Sequence, residues 1–150
     1  MIKKNILLLI FIIFLNSCGY TPIYSKNNKK NFSIENIQFT GDRELNSFIN
    51  EELLIYYDNK NNNKKFTILV NSEYTKDVLN KDSAGKIENY IITILVTFNI
   101  KSESLEKTLQ LKENFTMKNS TILNEQKLYE IEIKKNLINS IINKLLIKLS

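Results

Sequence analysis

The sequence predicts an α+β fold, a two-layer sandwich with two helices on one face of a four-stranded mixed sheet, in the order β-α-β-β-β-α. Three observations carry this. Apolar residues recur at helical spacing in two stretches, roughly 43–57 and from about 125 to near the end. Elsewhere apolar and polar residues alternate with the period of a strand. The chain also has only three glycines and one proline, so long regular elements joined by short polar turns are expected.

The chain opens with Lys3 and Lys4, an apolar run over 6–15, and small Ser17 directly before Cys18, the only cysteine. A positive start, a short apolar run and a small residue at the cut are the parts of an export signal. The run is too short to cross a bilayer as a helix, which needs about 20 apolar residues. Residues 1–17 are therefore expected to be cleaved. Leu15-Asn16-Ser17-Cys18 resembles the bacterial lipobox, although Asn16 departs from the small or apolar residue commonest at its place. That resemblance implies acylation of the Cys18 thiol and amine. With several chains at about 0.8 kcal/mol per buried methylene, such a modification anchors a protein stably. The alternative is an ordinary secretory signal with Cys18 an incidental thiol, but no second cysteine exists to pair with it. Gly19 follows, where lipoproteins kept at the inner membrane often carry Asp. The outer membrane, on its periplasmic side, is the expected location.

Residues 18–31 read as a polar, lipidated tether, and 32–150 as the folded domain. Phe32, Ile34, Ile37 and Phe39 make the first strand, with a change of phase at Glu35-Asn36 that suggests a bulge. Thr40-Gly41-Asp42 ends it, and Asp42 is a good N-cap. Leu45, Phe48, Ile49, Leu53 and Tyr56 then define an amphipathic helix, followed by an Asn/Lys-rich loop at 58–65.

Three strands follow. Phe66, Ile68, Val70, Tyr74 and Val78 share one phase of the first, and the 80–85 segment supplies turn residues. Tyr90, Ile92, Ile94, Val96, Phe98 and Ile100 form an unbroken apolar face opposite Ile91, Thr93, Leu95, Thr97 and Asn99. That pattern suits a central strand. After a turn at 101–104, Leu105, Leu109, Leu111, Phe115 and Met117 alternate with Thr108, Gln110, Lys112, Asn114 and Thr116, as antiparallel neighbours do. In the last helix Leu128, Ile131, Leu137, Ile138, Ile141, Ile142, Leu145 and Leu149 recur at three and four, with Lys134, Lys135, Lys144 and Lys148 between them. Both helices require burial, so both are expected on the apolar side. The opposite face, rich in Thr and Asn, is left either to solvent or to a partner.

Removing residues 1–17 leaves 133 of the 150 and lowers the formal charge from +5 to +3. One domain is expected, and so mild and unfocused a charge does not indicate nucleic acid. There is no histidine and, after Cys18, no thiol, which removes the common nucleophile–base pairs and soft-metal sites. Gly41 and Gly85 are isolated, so there is no phosphate loop. Glu51-Glu52 and the pair Glu130 and Glu132 read as solvated charges among lysines. No catalytic residue, metal site or cofactor is expected beyond the lipid on Cys18.

Cys18-Gly19-Tyr20-Thr21-Pro22-Ile23-Tyr24 resembles the lipidated start of the lipopolysaccharide-assembly lipoproteins, the LptE or RlpB family. Alphaproteobacterial members of that family often begin Cys-Gly-aromatic-x-Pro-hydrophobic-Tyr. The element order and the turn Ala84-Gly85-Lys86-Ile87-Glu88-Asn89-Tyr90, leading into a central strand, are similar as well. The resemblance implies a non-enzymatic subunit that plugs a large outer-membrane β-barrel, LptD, assists its assembly and helps deliver lipopolysaccharide to the outer leaflet. It also implies basic residues near the strand-turn end that pair with lipid A phosphates. Lys81 and Lys86 flank the turn here, and Lys118 and Lys127 border the loop into the last helix. These positions do not align residue for residue with the family, and the ordinary alternative for each is a solvated lysine. A different periplasm-facing lipoprotein, such as the lipid-binding accessory of a transport system, is the competing reading. It would show an apolar cleft between helices and sheet.

Overall fold

The computed structural model describes residues 32–57 and 64–149. The expected signal peptide, Cys18, the tether and most of the 58–65 loop lie outside them. Strand β1 (Ser33–Gly41) runs parallel to β2 (Lys65–Lys81). The register slips between Ile34 and Asn36, where the change of phase predicts a bulge. Between these strands lies α1 (Arg43–Leu53), capped by Asp42, whose Oδ1 accepts from the Leu45 N–H at 2.9 Å. β2, β3 (Ile87–Lys101) and β4 (Glu106–Lys118) are an antiparallel meander, and α2 (Leu123–Leu149) closes the order. The sheet is mixed, four-stranded and ordered β1-β2-β3-β4. The fold class is α+β, as the sequence predicts.

Both helices cover one face. From α1, Asn46 meets Ser72 of β2, and from α2, Glu130 meets Tyr74 and Lys76 of the same strand. Ser72, Tyr74 and Lys76 lie two apart, so they share a side. Between the layers Ile68, Val70, Ile92, Ile94, Val96, Phe98 and Ile100 are fully buried against Leu45, Ile49, Leu53, Ile138, Ile141 and Leu145. Burying one such side chain contributes about 1.5–3 kcal/mol. This core holds the layers together.

Gly41 fixes where the crossover begins. Its φ is +89°, and a Cβ there would lie 2.0 Å from the Ser72 carbonyl oxygen. The same oxygen accepts the Asp42 N–H at 2.9 Å. Only glycine allows so close an approach with that backbone, and it sets the first turn of α1 directly on β2.

Several details differ from the expectation. The first helix stops at Leu53 and tightens into a 3₁₀ turn (Leu54–Tyr56). Tyr56 stacks on Phe32 at 5.2 Å, and Tyr57 bridges to Ile34, so contacts with β1 replace the next helical turn. Leu105 sits in the 101–105 turn and is exposed. The last helix starts at Leu123, its apolar stripe includes Ile133, and Leu128 faces solvent. Glu130, read from sequence as a solvated charge, is not one, and Lys134, placed between the apolar positions of the last helix, is not on its open side. Lys134 is buried, and the Glu130 side chain is only 19% exposed. Each is paired within the interlayer seam, where a partner offsets the cost of burying it.

Candidate functional site

The helix-free face of the sheet is built by the outward phase of all four strands. One row runs Thr40, Asn71, Thr97, Gln110 across β1 to β4. The next rows on the three longer strands are Glu73-Leu95-Lys112, Thr75-Thr93-Asn114 and Asp77-Ile91-Thr116. Its polar groups also bond along the face. Thr40 Oγ1 donates to Asn71 Oδ1 at 3.1 Å, Asn71 Nδ2 to Glu73 Oε1 at 3.1 Å, and Thr108 Oγ1 to Asn99 Oδ1 at 2.7 Å. No described element lies over this face. It has the chemistry of a hydrogen-bonding surface, with Ile91, Leu95 and Leu69 as its apolar patches.

The four lysines picked from sequence gather toward one end of the sheet. Lys81 ends β2 opposite Ile87, and Lys118 ends β4 opposite Asn89. The turn between β2 and β3 is organised by Asp82, whose Oδ1 accepts from the Ala84 and Lys86 N–H groups at 2.9 and 2.8 Å. Gly85 supplies the left-handed residue at φ +81°. Asn119 then ties the end of β4 to β3, donating from N to Glu88 O at 2.7 Å and from Nδ2 to Ile87 O at 2.9 Å. α2 starts four residues later, which brings Lys127 to the same end. All four lysines are exposed, and none is ion-paired among the described residues. Asp82, Glu88 and Glu125 share this end, so its net charge is small.

The sequence places Val78 and Phe115 in the apolar phases of their strands but gives no signal for Leu79, Ile122 and Leu123 at this tip. Val78, Leu79, Ile122 and Leu123 are exposed there, Leu123 to 79%. Phe115 meets Tyr129 edge-on at 6.4 Å, and both are partly open to solvent. Ile122 and Leu123 lie just before the helical period is established, so periodicity gave no signal for them.

Between the layers a polar seam joins α1, α2 and β2. Tyr74 Oη donates to Glu130 Oε1 at 2.7 Å, and Lys76 Nζ to Glu130 Oε2 at 2.6 Å. Lys134 Nζ donates to Glu44 Oε2 at 2.7 Å and lies 4.0 Å from the centre of the Tyr74 ring. Burial pushes the Glu130 carboxyl up, but hydrogen bonds from Lys76 and Tyr74 and the charges of Lys76 and Lys134 outweigh it, and the net shift is down. Burial, then the bond and charge of Glu130, push the Tyr74 hydroxyl far above its ordinary value. A carboxylate held charged in this way is the opposite of a poised proton donor. The seam fastens layers. Among the described residues no three His, Cys, Asp or Glu side chains cluster as metal ligands.

No protein-family model and no curated protein sequence matches the chain. Solved structures do. A rare lipoprotein B from Shewanella oneidensis superposes with a TM-score of 0.53 at 13% identity, over 74% of this chain and 93% of that one. An uncharacterized lipoprotein B from Nitrosomonas europaea gives 0.54 at 12% identity, over 78% and 83%. The fold is that of the lipoprotein B structures. A minor lipoprotein from Acinetobacter baumannii is similar too, with a TM-score of 0.50 and 15% identity over 76% of this chain and 94% of that one. At such identities the likeness concerns architecture, and residue roles must be argued from this chain.

Proposed function

We propose that this chain is the lipoprotein subunit of an outer-membrane lipopolysaccharide translocon, anchored through acylated Cys18 on the periplasmic side. It plugs an LptD-type β-barrel, assists its assembly and helps pass lipopolysaccharide to the outer leaflet. The observation that carries the reading is the uncovered sheet face with its rows of Thr, Asn and Gln. The lumen of a large barrel is polar and lined with hydrogen-bonding groups, and a face rich in hydrogen-bonding side chains complements such a wall. The lipoprotein B architecture and the Cys18–Tyr24 string support the same reading.

The role needs no catalysis. Lys81, Lys86, Lys118 and Lys127 would meet lipid A phosphates as point charges, while Ile122 and Leu123 offer apolar surface to acyl chains beside them. The core between helices and sheet is filled by buried side chains, and the cleft at its β1 edge is shallow and shared with Glu35, Arg43 and Asn50, which does not suit a lipid-carrying accessory with an apolar cleft there.

Purification in mild detergent is expected to recover a β-barrel several times the mass of this chain. Recovery of the chain alone, with normal surface lipopolysaccharide after its depletion, would refute the proposal. Cys18→Ser should abolish membrane retention and leave a folded domain, read by fractionation and circular dichroism.

A further inference from the structure

A second basic surface lies at the end of the sheet away from the Asp82 turn. Lys64 precedes β2 and Lys65 opens it, Lys101 ends β3, Lys107 is the second residue of β4, and Lys148 lies in the last turn of α2. All five line one cleft of about 850 Å³. Two of them are matched, since Lys65 lies 4.0 Å from Glu35 and Lys101 lies 2.8 Å from Glu106. Glu103 also lines the cleft. Lys64, Lys107 and Lys148 have no ion pair among the described residues. Phe66 and Leu149 contribute buried apolar surface, and Leu105 stands exposed among the lysines. Unpaired ammonium groups beside apolar surface suit an anionic phosphate carried on an apolar body.

The way the chain enters the fold selects the source of that phosphate. Ser33 opens β1 beside Lys65, and its N–H donates to the Lys64 carbonyl at 2.9 Å. Cys18 lies only 14 positions before Phe32, a reach of at most about 50 Å when fully extended. The intervening residues add Lys26, Lys29 and Lys30 and no carboxylate. A lipid anchor on Cys18 therefore keeps the cleft, which lies where the tether enters the fold, within that reach of the leaflet that carries the acyl chains. A polybasic surface next to an acyl anchor adds a second membrane-binding signal.

We propose that this cleft docks the domain on anionic phospholipid headgroups of that leaflet. The proposal rests on the reading of Cys18 as the anchor. It gives the two lysine-bearing ends different work, the far tip facing the cargo and this end facing the membrane surface.

The test reconstitutes the chain, as purified from membranes, in vesicles of phosphatidylcholine alone or with phosphatidylglycerol. Lysine acylation is then read residue by residue by mass spectrometry. Labelling of Lys64, Lys107 and Lys148 should fall roughly fivefold in the anionic vesicles and recover in high salt. Lys81, Lys86, Lys118 and Lys127 should label alike in both. Equal labelling of Lys64, Lys107 and Lys148 in the two vesicles would overturn the proposal. So would protection of the same three by inorganic phosphate in neutral vesicles, which would mark a free-phosphate site. The mass of the Cys18 peptide in the same spectra reports the anchor separately. Protected lysines with unmodified Cys18 would refute the anchor and keep the docking surface, and acylated Cys18 with unprotected lysines the reverse.

Discussion

Lys134 of α2 donates to Glu44 of α1 at 2.7 Å, with its own side chain only 10% exposed and that of Glu44 41% exposed. The pair ties together two helices whose sequences lie on either side of the β2–β4 meander. The Lys134 ammonium also lies 3.7 Å from Glu130 and over the Tyr74 ring, so it is the common cation of the seam.

Lys134→Ala should therefore destabilise more than Glu44→Ala. The first leaves Glu130 and Glu44 without their shared cation, at a cost of about 2–3 kcal/mol. The second removes a partly exposed partner and should cost about 1 kcal/mol. Urea unfolding of both variants checks the order, and equal midpoints would show that the seam is not coupled as described.

Glu130 gives the fold a defined acid response. Its carboxyl titrates below the ordinary 4.5 in the folded state, so the stabilisation is fully present above that value. It is lost as pH falls through the lower, folded value. Glu130→Gln should be less stable than wild type at pH 7, and the gap should narrow on acidification. Parallel pH profiles would contradict this. Tyr74 acts in the other direction. The unfolded chain releases its phenolic proton near 10.0 while the folded one retains it, so stability should fall as pH climbs past that point.

Gly41 and Gly85 both have positive φ, yet their replacement should differ. At Gly41 a Cβ meets the Ser72 backbone, whereas at Gly85 nothing lies within 4 Å. Gly41→Ala should cost about 3 kcal/mol or more from strain and overpacking together. Gly85→Ala should cost about 1 kcal/mol, from conformation alone. Thermal unfolding of the two variants separates the effects.

The strands, the bulge near Asn36 and the Asp82 turn were legible because local chemistry decides them. Alternation assigned the face of Ile92 to Ile100, and Asp42 announced α1. The seam was not legible. Tyr74, Glu130 and Lys134 come together only through packing of α2 on β2, and in a lysine-rich chain nothing distinguishes Lys134 from Lys135, whose residue is exposed. Ser72 is likewise a polar residue on an apolar face, and its burial follows from bonds to the Asp42 carbonyl and Asn46 Oδ1 at 3.2 and 2.7 Å. The four lysines of the tip were picked through the family resemblance and their place beside turns, while Ile122 and Leu123 were hidden where the last helix begins. The cleft at the other end draws on all four strands and a helix terminus, so no stretch of sequence displays it.

The most direct test of the barrel-plug account places a photo-crosslinking residue at Thr93, in the middle of the open sheet face, in cells that make the whole envelope. The account predicts an adduct with a β-barrel several times the mass of this chain. An uncrosslinked chain at Thr93, with the barrel present and the lipoprotein anchored, would contradict it.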